Sequence, residues 1–106
     1  MNGFDNLGKM RRQVEKIQAE MARIQEELAG RTVEAAAGGG VVRAVVSGSQ
    51  ELRRVEIKPE AVDLDDLEML GDLIVAAVNE GMRKAQEMAA REMARLTGGL
   101  KIPGLG

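Results

Sequence analysis

The chain is poor in the side chains that carry most enzyme chemistry. Its 106 residues include no Cys, no His, no Trp and no Tyr, and Phe4 is the single aromatic residue. General acid–base and nucleophilic catalysis depend most often on His and Cys. The sequence therefore predicts a protein that is not an enzyme, with carboxylate-only catalysis by acidic residues 60–72 as the remaining alternative. The lack of Cys also excludes disulfides and thiolate metal sites, which fits a reducing compartment.

Long hydrophobic runs and a strong net charge are also missing. No apolar run approaches the roughly 18 residues of a membrane span, and the N-terminus lacks the apolar run of a signal peptide. We therefore expect a soluble cytoplasmic protein with no membrane partner. The net charge of −2 argues against a globally basic nucleic-acid binder. The charge is uneven, however, because residues 60–72 hold six acidic and no basic groups, whereas five basic groups face three acidic ones from residue 80 onward.

What the chain does contain is an uninterrupted heptad repeat near its start. The apolar positions alternate in steps of three and four: Leu7, Met10, Val14, Ile17, Met21, Ile24 and Leu28. This spacing predicts a helix over Gly3–Ala29 whose narrow seam packs against another helix. Lys9, Lys16 and Arg23 follow one flank of that helix, with Arg12 nearby. The alternative interpretation of this flank is an ordinary solvated face of a coiled coil.

The middle of the chain predicts three short antiparallel strands, over 31–37, 41–47 and 51–58. The β-branched run VVRAVVS is the strongest of them. Gly38–Gly40 and residues 48–50 supply the two turns, and Pro59 ends the third strand. A phosphate-cradling role for the triple glycine is disfavoured, since neither a helix start nor the Lys-Ser/Thr of a P-loop follows it.

A second helix is predicted from Asp63 to Leu96. The acidic residues at its start suit the positive end of the helix dipole, which is a structural alternative to a metal site there. Residues 73–78 are apolar nearly all round, which predicts burial against the sheet. The remainder of the helix overshoots the sheet and pairs antiparallel with the first helix as a projecting arm. This arrangement places six basic residues together at the arm tip: Lys9, Arg11, Arg12, Arg91, Arg95 and Lys101.

One helix cannot cover both faces of the sheet. Val41, Val45, Val55 and Ile57 suggest further apolar surface, and exposed apolar faces and edges usually indicate association. We therefore expect a two-fold homodimer through the β-sheet. The whole chain is predicted as one α+β domain: an arm helix over 1–30, a meander over 31–59, a long helix over 60–97 and a flexible tail over 98–106.

The sequence resembles the YbaB/EbfC family of bacterial nucleoid-associated proteins over nearly its whole length. The segments that carry the resemblance are KMRRQVEKIQAEMARIQEELAG, AGGGVVRAVVSGSQELRRVEIKPE and DLEMLGDLIVAAVNEGMRKAQEMAAREMARLTGGL. The resemblance implies an α-β-β-β-α protomer in a tweezers-like homodimer, no enzyme activity and no cofactor. It also implies DNA binding by the arms and a role in nucleoid organisation or gene regulation.

The functional hypothesis is thus double-stranded DNA binding in the nucleoid, with no small-molecule substrate. Its candidate DNA-binding residues are the basic groups of the two helices: Lys9, Arg11, Arg12, Lys16, Arg91, Arg95 and Lys101. An alternative is a prefoldin-like module that grips other proteins through apolar tip residues, which are Phe4, Leu7, Met93, Leu96, Leu100 and Ile102.

Overall fold

The computed structural model describes residues 3–99, with side chains over 6–96. Its elements are α1 (Gly3–Ala29), β1 (Thr32–Ala37), β2 (Val42–Ser47), β3 (Leu52–Ile57) and α2 (Leu67–Gly99), with short 3-10 turns at Gly38–Gly40 and Pro59–Ala61. The α-β-β-β-α order and the three-stranded sheet confirm the predicted fold class. The predicted tail beyond residue 99, including Lys101, lies outside the described residues.

The sheet is an antiparallel meander in the order β1-β2-β3. β1 pairs with β2 from Thr32↔Ser47 to Ala37↔Val42, and the β2–β3 register shifts between Val45 and Val46. The triple glycine makes the first turn, with positive φ angles of 64°, 73° and 98° at its three residues. Such backbone conformations are accessible to glycine without steric cost, which is why this hairpin closes where the sequence predicts it.

The start of α2 corrects the sequence prediction, because the helix begins at Leu67 and not at Asp63. The Asp63 side chain instead accepts a hydrogen bond from the backbone N–H of Asp65 at 2.9 Å, closing a local turn. Asp66 is the residue that caps the helix, since its Oδ1 accepts from the backbone N–H of Met69 at 3.1 Å. The acidic run therefore has turn and capping roles. Within residues 3–99 no cluster of three or more potential metal ligands occurs.

α2 lies close to the sheet because its contact residues are small. Ala77 and Ala85 are fully buried, and Gly81 sits directly over the sheet. A Cβ atom at Gly81 would lie 2.8 Å from Cγ2 of the buried Val46. The contact thus extends along α2 well beyond the predicted apolar stretch 73–78. That stretch is less buried than expected, since Val75 is 58% exposed.

The pairing of α1 with α2 is also shorter than the heptad repeat predicts. Ile24 and Leu28 are buried against Met88 of α2, whereas the first three seam residues are 52–62% exposed. From Met88 to its last described residue, α2 continues for 11 residues, about 16 Å, whereas α1 continues for about 38 Å beyond Leu28. The N-terminal half of α1 therefore projects beyond the described end of α2.

The helices and the sheet meet at Gly48, in the turn between β2 and β3. Its backbone N–H donates to the carbonyl of Arg31 at 2.9 Å. A Cβ atom here would lie 2.7 Å from the Leu28 carbonyl oxygen and 2.8 Å from Cε of Met88. Only glycine permits this approach, so the turn fixes the base of the projecting arm, by which we mean α1 together with residues 88–99. The molecule as a whole is elongated, at 77 × 25 × 16 Å.

Candidate nucleic-acid interface

The projecting half of α1 is amphipathic, with apolar and basic sides. At about 100° per residue, Lys9, Arg12 and Lys16 lie on the side of the helix away from Leu7 and Val14. Arg11 lies closer to the apolar seam. The side chains of all four basic residues are exposed, and they make no ion pair within the part of the chain whose side chains are described. Their charges therefore remain available to an external anion.

The basic residues of α2 are in different states. Arg91 is exposed and makes no ion pair with a described side chain, whereas Nη1 of Arg95 lies 3.4 Å from each carboxylate oxygen of Glu92. Glu92 is also 3.2 Å from Nη1 of Arg31, at the base of the arm. The hydrogen bond from Arg31 lowers the pKa of Glu92; burial opposes this effect, and the charges of Arg95 and Arg31 reinforce it. Arg95 is thus partly neutralised, and its guanidinium is less available than that of Arg91.

The basic residues of α1 and α2 that the sequence predicts together at one arm tip lie in two separate zones along the arm. Lys16 and Arg95 line a common groove between the helices, a cavity of about 490 Å³ that Ile17 and Leu96 also line. We call Lys16 and Arg95, together with Arg91 about one turn earlier on α2, the inner zone. The outer zone comprises Lys9, Arg11 and Arg12. It lies toward the N-terminus of α1, with Arg12 about 6 Å and Lys9 about 10 Å from Lys16 along the helix axis.

Further down the arm the basic charges are already compensated. Arg23, which the sequence places on the same flank as Lys9 and Lys16, lies 2.8 Å from Glu20 and 2.6 Å from Glu27. Its hydrogen bond and charge lower the pKa of Glu20. The predicted basic stripe therefore ends at Lys16, and the uncompensated charge is concentrated toward the N-terminus of α1.

The outer face of the sheet is charged rather than apolar. Arg43 lies 3.2 Å from Glu34 and 4.0 Å from Glu56, and Arg54 lies 2.7 Å from Glu56. The hydrogen bond from Arg54 lowers the pKa of Glu56. Val45, predicted as part of an exposed apolar face, is only 1% exposed.

Exposed apolar residues occur instead around β3 and the start of α2. α2 packs mainly over β1 and β2, which leaves β3 less covered. The residues involved are 40–81% exposed and will be called the body patch: Leu52, Ile57, Val62, Leu64, Leu67 and Val75. Sequence reasoning missed Leu64 and Leu67, because it assigned them to the acidic first turn of a helix. Their separation by acidic residues in the sequence DLDDLE was the available signal.

No helix within residues 3–99 has the length and hydropathy that crossing a membrane requires.

Solved structures and curated relatives resemble this chain over most of its length. The fold matches the crystal structure of the uncharacterized protein HP0035 from Helicobacter pylori with a TM-score of 0.74, at 21% identity, covering 92% of this chain and 99% of that one. A nucleoid-associated protein of Pelotomaculum thermopropionicum is 59% identical over 100 residues, 94% of this chain and 95% of its own length. One from Moorella thermoacetica is 56% identical over 102 residues, 96% of this chain and 98% of its own. The model of the YbaB/EbfC DNA-binding family matches residues 2–100, and the chain therefore belongs to that family.

Proposed function

We propose that this protein is a homodimeric nucleoid-associated protein that binds double-stranded DNA through the projecting half of α1. The observation that carries the proposal is the run of four exposed cations, Lys9, Arg11, Arg12 and Lys16, that form no ion pair with a described side chain. The family is described by DNA binding and not by catalysis, in agreement with the predicted lack of enzyme activity. The same assignment favours DNA binding over the prefoldin-like alternative.

The physical basis of binding is neutralisation of phosphates by the arm cations. Each contact releases condensed counterions, so the logarithm of the binding constant falls by roughly 0.9 per contact for each tenfold rise in salt. The outer zone and Lys16 provide four such cations per chain, and Arg91 provides a fifth. We therefore expect a moderate affinity for DNA that declines steadily as the salt concentration rises. The proposed location of the protein is the nucleoid, within the cytoplasm.

The proposed dimer uses the body patch and the free edge of β3. This arrangement refines the expected sheet-mediated dimer, because the charged outer sheet face is a poor candidate for a dry interface whereas the patch is apolar. Leu64 at 81% exposure and Val75 at 58% are unusually open for large apolar side chains in so small a domain. A second copy that covers them would leave two arms projecting from one body, each able to contact the same duplex.

A salt-dependent electrophoretic mobility shift titration with matched charge variants tests this function. The triple variant K9Q/R11Q/R12Q removes three uncompensated cations, and R43Q/R54Q/R83Q removes three that are already paired with glutamates. Both variants change the net charge equally. We expect the first to weaken binding at least about tenfold and to reduce the salt slope by about 2.7 for each arm engaged. We expect the second to bind nearly as the unaltered protein does.

Two outcomes would count against the proposal in different ways. If the unaltered protein retards no duplex at low salt, DNA binding itself is wrong. If the two triple variants weaken binding equally, the protein binds DNA but the outer zone of α1 is not the contact site.

A further inference from the structure

The N-terminal half of α1 carries an apolar seam that nothing within residues 3–99 covers. Leu7 is 62% exposed, Met10 59% and Val14 52%. These residues continue, without a break in spacing, the seam that Ile24 and Leu28 use to pack against α2. A regular heptad seam of this kind is complementary to another helix and is too narrow for a sheet.

We infer that this seam is occupied by the same segment of α1 from a second copy, packed antiparallel and tip to tip. α2 already runs antiparallel to α1, with Leu96 reaching the groove beside Ile17. A second α1 in the same direction extends that interface toward the N-terminus of the first α1. In the register that fills the seam, each residue faces a residue of the second copy, and the two residue numbers sum to 24. Leu7 then faces Ile17 of the second copy, and Met10 faces Val14.

The parallel arrangement is excluded by packing lower on the arm. Two parallel α1 helices that meet at Leu7 and Met10 would remain adjacent along their lengths. They would then compete with α2 for the seam at Ile24 and Leu28, which is buried against Met88. The antiparallel pair avoids this conflict at Ile24 and Leu28, because the two helices overlap only over residues 3–21, and Ile17 then contacts both Leu96 and the second copy.

The pairing leaves the basic side of both helices exposed. Lys9, Arg12 and Lys16 lie away from the seam, so both copies present them outward while their apolar sides are in contact. In this register Arg11 faces Gln13 of the second copy at the edge of the pair, and the two Arg11 residues are offset by about half a turn along the axis, a like-charge proximity between exposed groups that weakens the association modestly. Together with the body patch, the seam gives each chain two self-association surfaces.

The association is weak and reversible. About three exposed apolar residues from each chain fall well short of the roughly 1,000 Å² of a stable specific interface. Binding to a common DNA molecule raises the effective concentration of neighbouring arms and favours their pairing. The consequence for DNA, a linkage of successive molecules end to end, rests on the proposed function, whereas the helix pairing itself does not require DNA.

Cysteine cross-linking of the full chain tests the pairing and its register, since the natural sequence has no Cys. M10C and V14C proteins, one of them carrying a size tag, are mixed without DNA and exposed to mild oxidation. The proposed register brings these two positions face to face, so the mixed disulfide should form about tenfold more than the A19C control does with itself. Ala19 is exposed on the same helix, away from the seam.

Several results would overturn the inference. Cross-linking of the M10C and V14C mixture no greater than that of A19C excludes the pairing. Disulfides of M10C with itself in preference to the mixed product indicate a parallel coil. An intrachain disulfide in a V14C/I102C variant shows that the chain's own C-terminal segment occupies the seam. Because these measurements contain no DNA, a negative result leaves the proposed function unaffected.

Discussion

Single residues show where a local rule of sequence reasoning is overridden by packing. Gly81 lies in the interior of α2, where glycine costs about 1 kcal/mol relative to alanine and therefore looks like a weak point. In the fold it is buried where α2 packs over β2. A Cβ atom there would lie 2.8 Å from Cγ2 of Val46, and Val46 is fully buried and stiff at χ1. The glycine is thus a packing requirement that no helix propensity reveals.

The Gly81→Ala variant should accordingly be less stable than the unaltered protein. Forcing a methyl group into the α2–β2 contact costs about 1–3 kcal/mol of folding free energy. Replacing glycine by alanine inside a helix gains only about 1 kcal/mol in helix propensity, so the cost is larger than the gain. We expect a net loss of about 1 kcal/mol in the free energy of unfolding, measured by urea titration.

The matched control is Gly71→Ala, at an exposed position of the same helix where nothing lies within 4 Å of an added Cβ. Within a single chain only the propensity term operates here, so the variant should gain roughly 0.5–1 kcal/mol at a protein concentration at which the body patch, on the same face of α2, is unpaired. A stabilising Gly81→Ala substitution would show that the sheet contact is looser than the fold indicates.

Glu92 gives the fold a specific pH dependence. Its folded-state pKa lies below the ordinary value of 4.5, chiefly because Arg31 donates a hydrogen bond to its carboxylate. A carboxyl group with a depressed folded pKa contributes stability above its unfolded pKa, and loses that contribution as the pH falls through the folded value. Glu92→Gln should therefore destabilise the protein at pH 7.

The difference between Glu92→Gln and the unaltered protein should shrink as the pH drops below 4.5 and vanish in stronger acid. Urea titrations at pH 7 and at acidic pH measure it. Glu26→Gln serves as the control, because Glu26 is exposed on α1 and makes no ion pair within the described side chains. A deficit for Glu92→Gln that is constant with pH would exclude the Arg31 bridge as its cause.

At the scale of elements, α1 is one helix with two different roles. Its C-terminal part is buried in the arm through Ile24 and Leu28, whereas its N-terminal part is exposed through Met10 and its neighbours. Truncating a buried Ile to Ala typically costs 2–5 kcal/mol. We therefore expect Ile24→Ala to lower the free energy of unfolding by about 3 kcal/mol, and Met10→Ala to change it by less than about 0.5 kcal/mol.

Chemical denaturation at low protein concentration, where tip contacts between chains are dissociated, measures both values. Comparable losses for Ile24→Ala and Met10→Ala would mean that the whole heptad repeat is buried within one chain. That result would also remove the exposed seam on which the tip-to-tip pairing depends.

The elements themselves were largely predictable from the sequence. The heptad repeat gave the bounds of α1, and Gly38–Gly40 gave the first hairpin with its positive φ angles. The start of α2 was misplaced because Asp63 and Asp66 are equally good capping residues. Which of them caps depends on the local turn that Asp63 closes with Asp65.

The candidate site was predictable only in part, because the state of each cation depends on contacts far apart in sequence. Arg95 is partly neutralised by Glu92, which Arg31 holds from 61 residues away. The division into outer and inner zones depends on how far α1 extends past α2, and this offset follows from the packing of Leu28 and Met88 around Gly48. The heptad repeat predicts which residues of α1 form the apolar seam, but it does not predict the register in which α1 packs against α2.

At the scale of the whole molecule, the fold separates the two surfaces that the proposed function needs. Most of the body patch lies near the start of α2, whereas Arg91 and Arg95 of the inner zone lie about 36–42 Å from Leu67 along the helix. Dimerisation at one end therefore need not disturb DNA contacts at the other. This separation permits a variant that loses the dimer and retains every DNA-binding cation.

The variant L64E/V75E should be such a protein. Both side chains are largely exposed in the single chain, so introducing carboxylates there should spare the fold while placing like charges in the proposed dimer interface. Sedimentation at low concentration should give a monomer. Since two linked arms bind DNA with an avidity that one arm lacks, we expect DNA affinity to fall at least about tenfold and the salt slope to be roughly halved.

The control for this variant is Met69→Glu, which places a carboxylate at another exposed apolar position of α2, on the face opposite Leu67. It should remain a dimer and bind DNA nearly normally. A monomeric L64E/V75E protein with unchanged affinity and slope would mean that each arm binds DNA independently. A protein that is still dimeric would place the interface away from the body patch, on the charged outer face of the sheet or along the arms.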